Sequence, residues 1–119
     1  TQAEGESIVH ETVYENRFGY TETLNKMGAN IKLYKKCLGG PTCRFGKRGH
    51  LDSAIIVGPT AFKAAEILIP DLRAGFSYVI AALAAEGISK INNIELIQRG
   101  YENFIEKLTK LGAKVSISN

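Results

Sequence analysis

Hydrophobic positions along the chain follow two periods in turn, one of two residues and one near 3.6 residues. Apolar and β-branched residues that alternate with polar ones are typical of half-buried strands, and apolar residues three or four positions apart predict helices. We therefore predict strands over residues 7–13, 29–34, 52–57, 64–69, 90–96 and 113–117. Helices are predicted around Tyr20, Leu24 and Met27 with Gly28 as the stop, from residue 71 to about residue 86, and over 100–111.

The helix predicted over 71–86 differs from the others because its apolar residues lie on every face. Leu72, Phe76, Val79, Ile80 and Leu83 are spread around it, with alanines between them. A helix that is apolar all round is expected to be buried on all sides. A chain of 119 residues offers little to surround it, so we expect further protein around this helix.

Two parts of the chain resemble each other and predict an internal repeat of residues 3–33 and 85–117. The sequence AEGES at 3–7 matches AEGIS at 85–89, and LNKMGA at 24–29 matches LTKLGA at 108–113. Arg17 and Arg99 fall at the same offset between these matches. Turn chemistry shared by unrelated αβ units is the alternative explanation. If the repeat holds, residues 1–4 are the last turn of a helix whose body lies upstream, and the chain is a fragment.

Composition narrows the class of protein without defining a function. Hydrophobic residues make up 45% and charged residues 23% of the chain, which is typical of a globular protein. A net charge of +3 permits anionic partners but gives no reason to expect nucleic acid. The longest apolar stretch, residues 74–85, is too short to span a bilayer, so no membrane partner is expected. Two cysteines are too few for a disulfide framework and favour the reducing cytoplasm.

The segment from Cys37 to Gly49 is rich in glycine and basic residues and is predicted to be a loop or a long hairpin tip. Cys37 and Cys43 could bind metal, but zinc sites usually have four protein ligands, and only His10 and His50 are available to complete one. We expect two free thiols and no metal. Its basic residues are interpreted either as part of a solvated loop or as a contact for phosphate or RNA.

The arginines are the strongest candidates for chemistry. Asp71 follows Pro70 and suits a helix N-cap, whereas Arg73 in the first helical turn opposes the helix dipole. Either Asp71 neutralises Arg73 locally, or the helix start binds an anion. Arg17 and Arg99 are also expected just before helices, which favours anion binding. The sequence contains no recognisable nucleophile–base pattern, so the residues alone indicate an α/β protein with clustered arginines.

Several motifs resemble the C-terminal part of the enolpyruvyl transferases that act on UDP-N-acetylglucosamine. The resemblance covers nearly the whole chain and is carried by VYENRF at 13–18, KMGA at 26–29, DLRA at 71–74, AEG at 85–87 and RGYE at 99–102. It implies a mixed α/β fold built from βαβαββ units, which in this family form two inside-out α/β barrel domains with the active site between them. Residues 1–119 would be the C-terminal part of one barrel domain, and that barrel would be incomplete.

The resemblance also implies an activity. This family transfers enolpyruvyl from phosphoenolpyruvate to the 3′-hydroxyl of UDP-N-acetylglucosamine, the first committed step of peptidoglycan synthesis, in the cytoplasm and without a cofactor or metal. The implied partners are these two substrates and the remainder of the same enzyme. Two alternatives stay open: a fragment of a 3-phosphoshikimate 1-carboxyvinyltransferase, which the DLRA and RGYE motifs fit less well, and an RNA-binding βαβαββ module.

Site residues follow from the resemblance position by position. Arg73 and Arg99 would contact phosphoenolpyruvate or released phosphate, with Arg17 as a supporting arginine, Asp71 holding the helix start, and Val13 and Tyr14 on the sugar-nucleotide side. Two departures from the family pattern are Tyr14, where phenylalanine is common, and Leu96-Ile97-Gln98, where His-x-Asp is usual. The family's acid–base residues would lie outside this chain. We therefore expect no catalytic residue here, and no activity from the chain alone.

Overall fold

The computed structural model describes residues 1–36, 38 and 49–117. The strands in this part of the chain are β1 (Gly5–His10), β2 (Asn30–Tyr34), β3 (Ser53–Gly58), β4 (Glu66–Leu68) and β5 (Lys90–Asn92). The helices are α1 (Thr21–Lys26), α2 (Leu72–Ala84), α3 (Glu95–Gln98) and α4 (Phe104–Lys110). The fold is therefore mixed α/β, as the sequence predicts.

Two small sheets organise the described residues. β3 lies between β1 and β2 and is antiparallel to both, with Gly5 opposite Gly58 and Tyr34 opposite Ser53. β4 and β5 pair in parallel, with Ile67 opposite Ile91. Over residues 1–36 and 49–117 these sheets do not close into a barrel.

The hydrophobic core is divided into two clusters, and α2 contributes to both. The first cluster joins α1, α2 and the three-stranded sheet and contains Phe18, Leu24, Met27, Ile31, Ala54, Phe62, Ile67, Tyr78 and Ala81. The second cluster packs the start of α2 against α3 and α4 and contains Ile69, Val79, Ile97 and Phe104. Consecutive residues of α2, Tyr78 and Val79, face different clusters, so this helix joins the two halves of the core.

Four predicted strands differ from the structure by two residues or more. The strand predicted over 64–69 is shorter and spans Glu66–Leu68. The strand predicted over 7–13 begins earlier, at Gly5, and ends at His10, so that Val13 lies in the following loop. The strand predicted over 90–96 ends at Asn92, because Asn93 adopts a positive φ of 62° and α3 follows. Residues 113–117 pair with no strand in the described part of the chain, so the last predicted strand is wrong here.

The expectation of a helix end at residues 1–4 is also wrong. These residues are neither helix nor strand, and they lie against the turn after β3. The Thr60 N–H donates to the Thr1 carbonyl at 2.8 Å, and the Gln2 side chain donates to the Thr60 carbonyl at 3.0 Å. Because their hydrogen-bonding groups are used by this turn, these residues do not form a helical turn.

Two helix predictions need correction. The helix predicted over 100–111 begins only at Phe104, because Asn103 has a positive φ of 51°, a conformation that asparagine tolerates better than most residues. The helix predicted over 71–86 is observed as α2, but it is not buried on all sides in this chain. Its outer face is open, with Ile80 58% and Leu83 45% exposed.

The proposed repeat is visible in the ends of α1 and α4. Gly28 and Gly112 have positive φ values of 111° and 93°. The following alanine N–H donates to the leucine carbonyl five residues earlier, at 3.0 Å in both cases. The residue before each glycine differs, because Met27 is fully buried whereas Leu111 is 84% exposed. The two helix ends are therefore alike, while the repeat as a whole stays a prediction.

This difference gives a matched pair of variants of the 119-residue chain. Met27→Ala removes a fully buried side chain and should lower the free energy of unfolding by about 2–5 kcal/mol. Leu111→Ala, at the matching position of the second copy, should change it by less than about 0.5 kcal/mol. Denaturant unfolding of both variants measures the difference. Equal losses would contradict the burial described here.

Candidate anion-binding cleft

The start of α2 is fixed by Asp71. Its backbone is extended, with φ −157° and ψ 168°, and its Oδ1 accepts hydrogen bonds from the N–H groups of Arg73 at 2.9 Å and Ala74 at 3.1 Å. The predicted N-cap is therefore confirmed. The carboxylate is used by the backbone, and within the described residues it forms no ion pair with the Arg73 guanidinium. Arg73 is exposed in the first turn of a 13-residue helix.

The loop between β1 and α1 forms the other side of the cleft. The Glu11 carboxylate accepts hydrogen bonds from the N–H groups of Val13 at 2.7 Å and Tyr14 at 3.2 Å. The hydrogen bond from Val13 is the main reason that the pKa of Glu11 lies below its usual value. Three residues after Tyr14, the Arg17 guanidinium carbon lies 4.3 Å from the centre of the Tyr14 ring, a cation–π contact. This loop therefore holds an aromatic ring and an arginine together.

The two elements enclose an open cleft of about 940 Å³. Four of the predicted site residues line it: Tyr14, Arg17, Asp71 and Arg73. Residues that the sequence interpretation missed also line it, among them Glu11, Glu22, Lys26, Ser77 and Tyr78. Ser77 could have been found, because it follows Arg73 by four residues and shares its helix face. Lys26 and Tyr78 could not, because their approach depends on the packing of α1 against α2.

Three basic side chains, Arg17, Lys26 and Arg73, and four acids, Glu11, Glu15, Glu22 and Asp71, line the cleft, so its formal charge has no positive excess. Glu22 is paired with Lys26 at 2.8 Å, and the carboxylates of Glu11 and Asp71 accept backbone N–H groups. These acids are already engaged. The guanidinium groups of Arg17 and Arg73 are planar, permanently charged donors suited to carboxylate and phosphate oxygens.

Arg99 and Val13 lie outside this cleft. Arg99 does not precede a helix, as was expected, but is the C-cap of the short helix α3, and its N–H approaches the Glu95 carbonyl at 3.4 Å. The helix that should have followed it starts only at Phe104. A positive helix end therefore gives no support to anion binding at Arg99.

Other candidate chemistry lies away from the cleft. His10 Nδ1 is 2.7 Å from Ser53 Oγ in the three-stranded sheet. Cys37 and Cys43 fall outside the described residues, so the expectation of free thiols stays a prediction, as does the loop predicted around them. Over residues 1–36, 38 and 49–117, no group of three His, Cys, Asp or Glu side chains is placed to hold a metal ion. In the same residues, no helix has the length and apolar character needed to cross a membrane.

Comparison with known proteins defines the class. A family model described as EPSP synthase (3-phosphoshikimate 1-carboxyvinyltransferase) matches residues 1–108. Because the match covers most of the chain, the chain belongs to this family of enzymes. A solved structure agrees: the enolpyruvyl transferase NikO from Streptomyces tendae aligns with 94% of this chain and 22% of its own, at a TM-score of 0.72 and 28% sequence identity. The predicted enolpyruvyl transferase fold is thus confirmed.

The names of the curated relatives are more specific than the description of the family model. Proteins named UDP-N-acetylglucosamine 1-carboxyvinyltransferase are 59% identical in Protochlamydia amoebophila and 52% identical in Chlamydia abortus. Each alignment covers 98% of this chain, but only 25% and 27% of the relative. The chain therefore spans about a quarter of the length of the curated relatives it matches. The resemblance seen in the motifs is confirmed, and the activity of the whole protein is a separate question.

Glu11 gives a testable pH dependence. Its pKa in the folded chain is lowered from 4.5, so the folded form binds this proton more weakly than the unfolded form. The stabilisation is complete above the unfolded pKa and is lost as the pH falls through the folded pKa. We expect the Tm advantage of the wild-type chain over Glu11→Gln to be largest near neutral pH and to shrink in acid. A difference in Tm that is constant with pH would contradict the charged hydrogen bond.

Proposed function

We propose that this chain is the C-terminal part of a UDP-N-acetylglucosamine 1-carboxyvinyltransferase, a cytoplasmic enzyme that carries out the first committed step of peptidoglycan synthesis. The observation that carries the proposal is the cleft in which Arg73, at the capped start of α2, lines the same space as Arg17 and Tyr14. The names of the curated relatives supply UDP-N-acetylglucosamine as the acceptor, and phosphoenolpyruvate is what the family resemblance implies. Phosphoenolpyruvate has a phosphate and a carboxylate, and the sugar nucleotide has a diphosphate, so guanidinium donors suit both.

The proposed reaction is an addition followed by an elimination. The 3′-hydroxyl loses its proton as its oxygen bonds to C2 of phosphoenolpyruvate, and C3 gains a proton, which gives a tetrahedral intermediate. Loss of a proton from C3 and cleavage of the bond between C2 and the phosphate oxygen then release inorganic phosphate and restore the double bond. Arginines next to the phosphate and carboxylate stabilise charge on the leaving group and orient it. The groups that move the protons belong to the remainder of the enzyme.

The roles proposed for residues of this chain are those that the family resemblance implies. Arg73 binds phosphoenolpyruvate or the released phosphate, and Arg17 supports it from the facing loop. Asp71 fixes the first turn of α2 and so the direction of Arg73. Tyr14 and Val13 form the sugar-nucleotide side, Tyr14 within the cleft and Val13 on the exposed loop beside it. Arg99 reaches the same anion from outside the cleft formed by this chain.

The open face of α2 is explained by the same proposal. Ile80 and Leu83 are exposed here although they lie in the longest helix of the described residues. In the complete enzyme the remaining three quarters of the protein would cover this face. The remainder of the enzyme is therefore the main partner of this chain.

Arginine-to-lysine variants of the full-length enzyme test the site. A charge-assisted hydrogen bond contributes about 1.5–3 kcal/mol, so Arg73→Lys or Arg99→Lys should lower kcat/KM on the order of tenfold to a hundredfold. Lysine keeps the charge but loses the planar fork that binds two oxygens at once. Arg17→Lys should cost less, and Lys107→Arg on the exposed face of α4 should cost nothing. Phosphate release with both substrates is the readout, and near-normal efficiency in both Arg73→Lys and Arg99→Lys would contradict the assignment.

The purified 119-residue chain should release no phosphate from phosphoenolpyruvate and UDP-N-acetylglucosamine. The reason is that the proton-transferring groups are assigned to the rest of the enzyme. Turnover by the chain alone would contradict this assignment of the proton-transferring groups.

The full-length enzyme is also assayed with shikimate 3-phosphate as the alternative acceptor. This assay distinguishes transfer to the sugar nucleotide from the activity that gives the matched family model its name.

A further inference from the structure

Arg73 and Arg99 are each flanked in sequence by residues that contact each other. Leu72 precedes Arg73, and Gly100 follows Arg99. A Cβ built on Gly100 would lie 2.6 Å from Leu72 Cδ2 and 2.7 Å from Leu72 Cδ1, closer than carbon atoms approach. The Leu72 side chain therefore rests directly on the Cα of Gly100.

A second contact of the same kind runs in the opposite direction. A Cβ on Gly75 would lie 2.6 Å from Ile69 Cγ2 and 3.1 Å from Ile97 Cγ1. Leu72 and Gly75 are three residues apart on α2, and Ile97 and Gly100 are three residues apart at α3, so each pair lies on one helix face. A large residue of each element thus meets a glycine of the other.

Space, and not backbone conformation, restricts both positions, more strictly at Gly75 than at Gly100, where the contacting atoms are the end of the half-buried Leu72 side chain. Neither Gly75 nor Gly100 is among the residues with positive φ, so an alanine could adopt either backbone conformation. Ile97 is fully buried and Ile69 is 1% exposed, so neither has free space to move into. The Phe76 ring stacks on Tyr101 at 4.4 Å beside the contact and limits sliding of the two elements.

We propose that the reciprocal contact of Leu72 with Gly100 and of Gly75 with Ile97 is a positioning device that sets where Arg73 stands relative to Arg99. This inference rests on the proposed function, in which both arginines bind phosphoenolpyruvate or its phosphate. The arginines lie between the contacting residues, and their own side chains are exposed and free of this packing.

A methyl group added at Gly100 has a predictable consequence. Because carbon atoms prefer separations of about 3.5–4 Å, the end of the Leu72 side chain must move by about 1 Å, which changes the contact between α2 and Gly100. We expect the altered contact to shift α2 relative to the end of α3, and a displacement of a binding group by about 1 Å can lower turnover by roughly a hundredfold. Both arginines serve the same substrate, so the change should appear in kcat and in KM for phosphoenolpyruvate, not in KM for the sugar nucleotide.

The experiment uses the full-length enzyme. In Gly100→Ala we expect kcat/KM for phosphoenolpyruvate to fall by about tenfold or more. The double variant Gly100→Ala with Leu72→Val, which removes both Cδ atoms, should recover most of that loss. Leu72→Ala, which opens the contact without adding bulk, should also raise KM for phosphoenolpyruvate and covers the case in which Gly100→Ala does not fold.

Met27→Ala is the control for lost stability, because Met27 is buried in the other hydrophobic cluster and does not line the cleft. It should lower Tm without changing KM for phosphoenolpyruvate. The proposal is overturned if folded Gly100→Ala and Leu72→Ala both keep the wild-type KM and kcat, or if the double variant recovers nothing. Wild-type enzyme and Arg73→Lys are measured in the same assay, so that failure of the proposed function can be told from failure of the positioning contact. An inactive wild-type enzyme would contradict the proposed function. An impaired Arg73→Lys together with a normal Gly100→Ala would contradict only the positioning contact.

Discussion

The packing of α2 between two hydrophobic clusters is the constraint on which the arrangement of this chain depends. Tyr78 and Ala81 belong to the cluster under the three-stranded sheet, and Val79 belongs to the cluster with α3 and α4. A rotation of the helix that improved one set of contacts would break the other. Core interiors are densely packed and tolerate little displacement, so the direction of α2 is fixed along its length. Every cleft residue on α2 takes its position from this double contact.

Packing fixes the position of α2, and hydrogen bonds from charged groups then orient the backbone at the edges of the cleft. The ion pairs Lys26–Glu22, Lys90–Glu66 and Lys110–Glu106 join exposed side chains, and such pairs contribute little to stability. Asp71 and Glu11 act differently, because their carboxylates accept backbone N–H groups at the edges of the cleft. Each fixes the course of the backbone just before a candidate arginine. Glu11 and Asp71 therefore order the backbone at the two edges of the cleft.

Local sequence predicted those features that local physics determines. The Asp71 cap and the glycine ends of α1 and α4 were correct because each depends on a few neighbouring backbone groups. The strand predicted over 113–117 failed because a strand also needs a partner, which periodicity does not supply. Asn93 and Asn103, both with positive φ, divided segments that looked continuous in the sequence. Of the candidate site, Arg73 was placed correctly by its cap, whereas Arg99 was misplaced because its helix starts four residues later than expected, at Phe104.

Met27 and Leu111 show the same difference between what local sequence determines and what packing determines. Both precede a glycine with positive φ at the end of a helix, and the same hydrogen bond closes each end. One side chain is buried and the other faces solvent, because Met27 lies in the cluster under the three-stranded sheet, whereas Leu111 belongs to neither cluster. The pattern Lys-x-Gly-Ala thus determines how a helix ends, and the surrounding structure determines whether the residue before the glycine is buried. The arginines obey the same rule, since Arg17, Arg73 and Arg99 look equivalent in sequence, yet only packing decides which of them share a cleft.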